Sequence, residues 1–293
     1  MSEVIVPKRR DGAMGAGIKR DHQGKEKAKK DQPAPDHPRN AYTSMFESFR
    51  DELDEHHDRR VRIGKVSRDI TVLSKKIIFS LQRVRKLSQP IPERIQSEID
   101  SRLQEIAELL ATIQPDVQGM NRHRYTVAGL EEFVEAVAFA HYLRHQRLMT
   151  PAEAQAALPA DVGLTAPDYV FGVFDLTGEM MRFATAVTAL SGAMPAGGEP
   201  PKGDGGDDDD DDGNGKRTIL TDLQDVSSTL LTCPALGRPG VYARKLNTMA
   251  EQVRKVERLG YGVIVRGTER PKGWMPDLDE AGFPDGEDVA MAD

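Results

Sequence analysis

Apolar residues recur at steps of three and four along most of this chain, which is the period of an amphipathic α-helix. The longest such stretch runs without proline from Ala41 to Gln89 and predicts one helix of about 45 residues, about 65 Å long. A second stretch, which ends at Pro115, carries apolar residues at Ile95, Ile99, Leu103, Ile106, Leu110 and Ile113. No series of strands with alternating polarity is evident, so we expect an all-α fold.

Local signals mark the starts of further helices. A third stretch is predicted to run from Asn121 to about Leu148 as one helix. Thr150 and Thr165 are each followed closely by a proline and, three residues on, by an acid, which is the pattern of a helix N-cap. The later predicted helices are 166–190, 220–231 and 241–259, with 262–267 ambiguous. The whole is a long-helix bundle of about seven helices.

Three segments lack this periodicity and differ in charge from the helical part. Residues 1–39 hold ten Lys and Arg against six Asp and Glu, and predict a disordered basic arm. Residues 191–216 are rich in Gly, Pro and Asp, with an unbroken acidic run from Asp207 to Asp212, and predict a flexible acidic linker. Residues 277–293 carry seven acids and no Lys or Arg, and predict an acidic tail. One helical domain at 40–276, with the linker inside it, is therefore expected.

The charges of these segments also mask the net charge of the helical domain. The chain carries −7 overall, with +4 in the arm, −7 in residues 199–212 and −7 in the tail, so the remainder carries +3. A mildly basic domain can meet nucleic acid on a local patch, although charge alone does not demand it. Lys8–Arg10 with Lys25–Lys30 is typical either of a two-part nuclear import signal or of a generic basic arm, so nuclear and cytoplasmic locations are both expected. The single Cys233 allows no intrachain disulfide, and no apolar run predicts a membrane span.

Two pairs of acids stand among apolar residues and are the candidate chemistry of the chain. Glu132 with Glu135, and Asp175 with Glu179, are spaced to share one helix face, about 5–6 Å apart at Cβ. Buried carboxylates need neutralisation, and oxygen-only ligands favour Mg²⁺, Mn²⁺ or Ca²⁺ over zinc. The plainer alternative is surface acids on amphipathic helices, as is expected for Glu131. A di-iron centre would require two Glu-x-x-His motifs, and none is present.

Small and basic residues supply further candidates. Gly178, between the acids of the second pair, is expected to permit close approach of another backbone or a ligand. Basic residues of the long helix fit either a solvated face or a surface that tracks single-stranded nucleic acid; they are Arg59, Arg60, Arg62, Lys65, Arg68, Lys75 and Lys76. Arg68 is the best candidate for phosphate contact, with Lys75 and Arg182 behind it. Aromatic residues make up only 5% of the chain, so a base-stacking platform is not predicted.

Five sequence blocks resemble the translin-associated factor X family of the translin superfamily. They are 49–58, 66–76, 129–137, 168–182, and 253–257 taken with 265–269. The resemblance covers roughly residues 42–275, and Asp175-Leu176-Thr177-Gly178-Glu179 is a specific motif within it. The acidic linker is longer than in animal members of the family, and the region between Leu158 and Asp168 is shorter. Neither departure touches the acidic blocks.

The resemblance implies a translin-like fold and assembly with translin into a hetero-octameric barrel that binds RNA inside. It also implies Mg²⁺-dependent endoribonuclease activity on single-stranded RNA, including passenger-strand and tRNA-processing fragments, with Mn²⁺ as the substitute metal. Carried over by motif, the catalytic and metal-holding acids are Glu132, Glu135, Asp175 and Glu179. The basic arm matches the position of the family's nuclear signal.

The predicted protein is therefore a catalytic subunit that works in complex with translin. Attack by a metal-activated water, leaving 5′-phosphate ends, is favoured because the sequence offers no His or Lys pair at the acids for a 2′-hydroxyl route. The alternative is a non-catalytic partner that stabilises translin and positions RNA. Because the long helix leaves faces for a partner, the isolated chain is expected to be poorly soluble or self-associated.

Overall fold

The computed structural model describes residues 40–158, 162–197, 217–237 and 239–267. Throughout these ranges the regular elements are helical, and the only β contact is an isolated bridge between Ala196 and Thr218, so the all-α prediction is confirmed. The helices are α1 Thr43–Leu81, α2 Glu93–Ile113, α3 Asn121–Arg124, α4 Gly129–His145, α5 Pro151–Ala156, α6 Ala166–Ser191, α7 Ile219–Thr232 and α8 Pro239–Gly267. The predicted arm, the tail and residues 198–216 of the linker lie outside the described residues.

The chain separates into two compact units, one up to Glu52 and one from Leu53 onward. In the first, the side chain of Asn40 accepts a hydrogen bond of 2.9 Å from the Tyr42 amide at the start of α1. The second unit holds all the candidate residues. None of the described helices combines the length and apolarity that crossing a bilayer requires.

The first helix is shorter than predicted, because the chain leaves helical geometry after Leu81 rather than at Gln89. The Arg85 guanidinium donates to the carbonyls of Gln82 and Val84, which occupies carbonyl oxygens just past the helix end. Ser88 has a positive φ of 54°, and its amide donates to the Leu143 carbonyl at 2.9 Å. These contacts turn the chain toward α2.

The predicted helix 121–148 is wrong as a single element, since it divides into α3 and α4. The Gly129 amide, at the start of α4, donates to the Ser67 hydroxyl of α1 at 2.8 Å. A Cβ at Gly129 would lie 2.4 Å from the Ser67 carbonyl oxygen, so only glycine permits this approach. The described part of the chain holds eight α-helices, in line with the predicted bundle of about seven, and the ambiguous 262–267 belongs to α8.

The helix starts predicted from local sequence are confirmed. Thr150 with Glu153, and Thr165 with Asp168, form reciprocal capping boxes at α5 and α6. Each box satisfies backbone amides that the first helical turn leaves without an intrahelical partner. The box at Thr165 fixes the start of α6, the longer of the two acid-bearing helices.

Helix α6 packs against α4, and a glycine allows the two helices to approach closely. A Cβ at Gly172 would lie 2.7 Å from the Val134 side chain and 2.8 Å from the Glu131 carbonyl oxygen. The close approach expected at Gly178 is therefore found at Gly172 instead, since Gly178 meets only the end of the Gln252 side chain, at 3.0 Å. This contact brings together the helices that carry the two acid pairs.

Candidate acidic site

The four predicted acids form one electrostatic group on α4 and α6. Glu135 and Glu179 are buried, with exposed fractions of 8% and 6%, and Glu132 and Asp175 are half-buried. Burial, followed by the negative charges of Asp175, Glu132 and Glu179 in that order, raises the pKa of Glu135 to about 8.

Two lysines from distant parts of the chain pair with the half-buried acids, Glu132 and Asp175. Lys75 of α1 places its Nζ 2.9 Å from Glu132 Oε2, and this hydrogen bond raises the lysine pKa. Lys245 of α8 donates to both carboxylate oxygens of Asp175 at 2.7 Å. Its Nζ also lies 5.4 Å from the centre of the Phe171 ring. Even so, burial raises the pKa of Asp175 against the opposing effect of Lys245, so the group remains short of positive charge.

The two buried acids, Glu135 and Glu179, differ from each other in their partners. Glu179 has Arg182 Nη1 at 3.1 Å and accepts a hydrogen bond of 2.8 Å from Gln82 Nε2. Glu135 has no cation at ion-pair distance among the residues that the structure describes, and its hydrogen bond with Glu132 raises its pKa. A buried carboxylate without a counter-ion is held there at a cost, unless a ligand supplies the charge.

Glu131 also belongs to this group, and the expectation that it is a surface bystander is wrong. It is half-buried, and burial raises its pKa to about 7, while Lys245 lowers it and Asp175 raises it. The reason is the contact at Gly172, which brings α6 onto the α4 backbone at Glu131. Helical periodicity cannot report such a contact, because it depends on a residue of another helix.

The donor set fits a divalent cation by its chemistry, since it consists of carboxylate oxygens with uncompensated charge. In the present arrangement, however, no three His, Cys, Asp or Glu side chains of the described ranges are grouped to hold a metal ion. Lys75 and Lys245 each draw one carboxylate to themselves. A metal ion bound here would therefore have to share these two carboxylates with their lysines.

Two of the basic candidates, Lys75 and Arg182, lie at the acids, whereas Arg68 lies farther along α1. Lys75 and Arg182 each pair with an acid of the group. Arg68 is exposed on α1, two helical turns or about 10 Å before Lys75. Its guanidinium has no hydrogen-bond or ion-pair partner in the described part of the chain, so it remains available to a ligand.

Lys245 is the functional candidate that sequence reasoning missed. It lies on the inward stripe of α8, three residues after Tyr242 and four before Met249, both of them buried. A lysine in an otherwise apolar stripe requires a partner, and this signal was readable in the sequence. The partner itself, Asp175, is 70 residues away and could not be read.

The fold and site together define an all-α protein whose two central helices carry a cation-poor cluster of acids. The chain belongs to the Translin family, whose profile matches residues 58–267, so the resemblance drawn from the five blocks is confirmed. Translin-associated protein X of Rattus norvegicus is 31% identical over 263 residues, which cover 80% of this chain and 82% of that protein. The Translin-associated protein X homolog of Schizosaccharomyces pombe is 33% identical over 143 residues, 47% of this chain and 59% of that protein.

A solved structure has the same fold. The crystal structure of apo-NeC3PO is similar with a TM-score of 0.50 at 19% identity, covering 74% of this chain and 96% of that chain. At this identity the likeness concerns the helical architecture alone.

Proposed function

We propose that this chain is the catalytic subunit of a translin-containing, Mg²⁺-dependent endoribonuclease that cleaves single-stranded RNA. The observation that carries the proposal is Glu135, a buried carboxylate without a protein counter-ion in the described residues, inside a group of acids. Such an arrangement suits a bound cation better than a structural role. The substrates implied by the resemblance are passenger-strand and tRNA-processing fragments.

Some residues of the site would bind the metal, and others would keep positive charge near it. Glu132, Glu135, Asp175 and Glu179 would hold Mg²⁺ or Mn²⁺, which when bound acidifies water and stabilises charge on a phosphodiester. Lys75 and Lys245 orient two of these acids and keep positive charge beside them. Fixed positive charge of this kind favours an RNA phosphate.

The lysines also bear on the choice of nucleophile. The premise that no lysine lies at the acids is wrong, since Lys75 and Lys245 both reach them. Their ammonium groups donate to carboxylates, and the raised pKa of Lys75 keeps it protonated, so neither is a free base for a 2′-hydroxyl. Water attack remains the proposal, with one of the acids accepting the proton. The products should carry 5′-phosphates, which end-group analysis of the cleaved RNA would measure, whereas 2′,3′-cyclic phosphates would contradict it.

A partnership with translin is part of the proposal, supported by the name of the relatives, Translin-associated protein X. Apolar side chains remain exposed on the second unit, including Tyr261 and Ile264 one turn apart on α8. Exposed apolar strips of this kind are typical of assembly surfaces. A hetero-octameric barrel, and a location in both nucleus and cytoplasm, are further expectations from the resemblance.

The test is cleavage by the complex reconstituted with translin. Single-stranded RNA and Mg²⁺ are added to wild type, to Glu135→Gln and to Asp175→Asn, with Glu251→Gln as the control, an exposed acid on α8. The first two variants should lose cleavage at least a hundredfold, a typical loss when a charge that stabilises the transition state is removed. The control should match wild type.

The second candidate function is a non-catalytic partner that stabilises translin and positions RNA. It is favoured by the absence, in the described ranges, of three acids already grouped to hold a metal. It predicts that Glu135→Gln and Asp175→Asn cleave and bind RNA as wild type does. That outcome would overturn the catalytic proposal.

A further inference from the structure

A groove lies beside the acids, between the end of α1 and α2. It is a shallow, open depression of about 490 Å³, lined by Lys76, Phe79, Gln82, Arg83, Glu98 and Arg102 among others. The Phe79 ring is 74% exposed on the rim. A single exposed phenylalanine needs no explanation by itself, so its surroundings decide what it means.

Those surroundings are positively charged. Lys76 has no hydrogen-bond or ion-pair partner within the described ranges, and the Arg102 guanidinium donates only to the Glu98 carbonyl oxygen, at 2.7 Å. Arg83 pairs with the Glu98 carboxylate, which also accepts a hydrogen bond of 2.9 Å from Ser80. The groove lining thus has one carboxylate and three cations, so it carries net positive charge. An apolar partner helix would strip water from unpaired cations at a cost, whereas a polyanion would neutralise them.

The groove is continuous with the acidic site. Gln82 lines the groove and also donates to Glu179 Oε2 at 2.8 Å. Lys75, which pairs with Glu132, precedes Phe79 by one helical turn, about 6 Å along α1. A strand with a phosphate at the acids would therefore carry a neighbouring nucleotide over the groove.

We propose that this groove holds one nucleotide of single-stranded RNA, with its base stacked on Phe79 and its phosphates on Lys76, Arg83 and Arg102. The proposal deepens the proposed function, on which it rests for the identity of the strand. An exposed aromatic ring set among cations is the arrangement by which proteins bind single strands without reading sequence. It differs from the sequence-based expectation, which predicts no stacking platform, because a low aromatic content does not prevent one ring from being well placed.

Binding of RNA by the full chain in its complex with translin tests the groove. The probe is a fluorescein-labelled oligouridine of 12 nucleotides, with binding followed by anisotropy without divalent metal so that no cleavage occurs. Phe79→Ala should weaken binding about tenfold without changing its salt dependence, because stacking releases no counter-ions. Arg102→Gln should lower the slope of log Kd against log salt by about 0.7, the value for one phosphate contact to a single strand. Met120→Ala, at an 82% exposed position before α3, is the control and should bind as wild type.

A tryptophan at the groove gives a local signal once the fluorescence of the same complex carrying Trp274→Phe alone is subtracted. Phe79→Trp is combined with Trp274→Phe, which removes the only native tryptophan. The double variant should bind RNA as tightly as wild type, and its fluorescence should be quenched on adding oligouridine. Unchanged fluorescence, or equal RNA affinity of Phe79→Ala and wild type, would contradict the proposal that the groove binds RNA. So would a Phe79→Ala variant that releases translin, since a protein would then cover the ring.

The groove and the catalytic proposal can fail separately. If the acid variants cleave normally while the tryptophan is quenched, the groove stands and the catalytic proposal falls. If the acid variants lose cleavage while Phe79→Ala binds RNA normally, the reverse holds.

Discussion

Asp168 and Glu135 are both buried carboxylates, with exposed fractions of 3% and 8%, but they lie in very different surroundings. Asp168 accepts from the buried Arg122 guanidinium and, at 2.8 Å, from the Thr165 amide. Glu135 has no cation at ion-pair distance in the described chain, and nearby acids raise its pKa. The fully partnered acid contributes to folding, whereas the acid without a counter-ion is the one that a ligand can stabilise.

A second pair of buried acids extends the comparison. Asp222 accepts hydrogen bonds from the Tyr142 hydroxyl at 2.8 Å and the Gln146 amide at 2.9 Å, and it pairs with Arg217. Glu179 also has partners, but one of them is Gln82, which faces the proposed RNA groove. Burial of an acid is therefore not a sign of function until its partners are counted.

The largest expected effect is on the partnered acid. Asp168→Ala should lower the free energy of unfolding by about 3–5 kcal/mol, because it leaves Arg122 charged and buried without a counter-ion. Urea denaturation measures this. The matched control is Glu153→Ala, which removes the equivalent capping-box acid from exposed surroundings at α5 and should have a far smaller effect. Equal losses would show that capping, and not the buried pair, accounts for the stability.

Metal addition and removal test the acid without a counter-ion. Mg²⁺ at a hundred times its Kd should stabilise the wild-type complex by about 2.7 kcal/mol, because only the folded site binds it. Glu135→Gln should lose most of this gain and, in EDTA near pH 7, should be about as stable as wild type, since a pKa of about 8 already leaves Glu135 mostly uncharged there. Thermal unfolding with and without Mg²⁺ measures both effects. An identical gain in the two proteins would place the metal elsewhere.

The acid cluster can also be disturbed without changing an acid. Gly172→Ala should cost about 1–3 kcal/mol and reduce cleavage, because its Cβ would meet the Val134 side chain and the Glu131 backbone. Gly64→Ala is the opposite control, since no atom lies within 4 Å of its Cβ in α1. It should stabilise the protein by about 0.5–1 kcal/mol through helix propensity. Denaturation of both variants gives the comparison, and a loss at Gly64 as large as at Gly172 would contradict the packing argument.

Sequence reasoning succeeded where the controlling contact is local. The all-α class follows from apolar periodicity, and Thr150 and Thr165 mark helix starts through partners three residues away. It failed where the contact is distant. The break before α4 depends on Ser67 bonding to Gly129, and the Asp175 partner Lys245 comes from another helix. The acid pairs could be predicted because charged residues among apolar ones are visible within a single segment. Their electrostatic interactions across α4 and α6 could not be predicted, because these depend on the packing at Gly172.

The smallest expected effect concerns a buried polar group that is neither paired like Asp168 nor placed among acids like Glu135. His141 has its Nε2 buried without a hydrogen-bond partner among the residues that the structure describes, and burial, followed by the charges of Arg147 and His145, lowers its pKa. The unfolded chain therefore takes up a proton first as the pH falls below about 6.5, so stability should decline there. His141→Gln should make this decline shallower, as measured by urea denaturation between pH 7.5 and 5.5. An unchanged slope would mean that His141 titrates alike in the folded and unfolded chains.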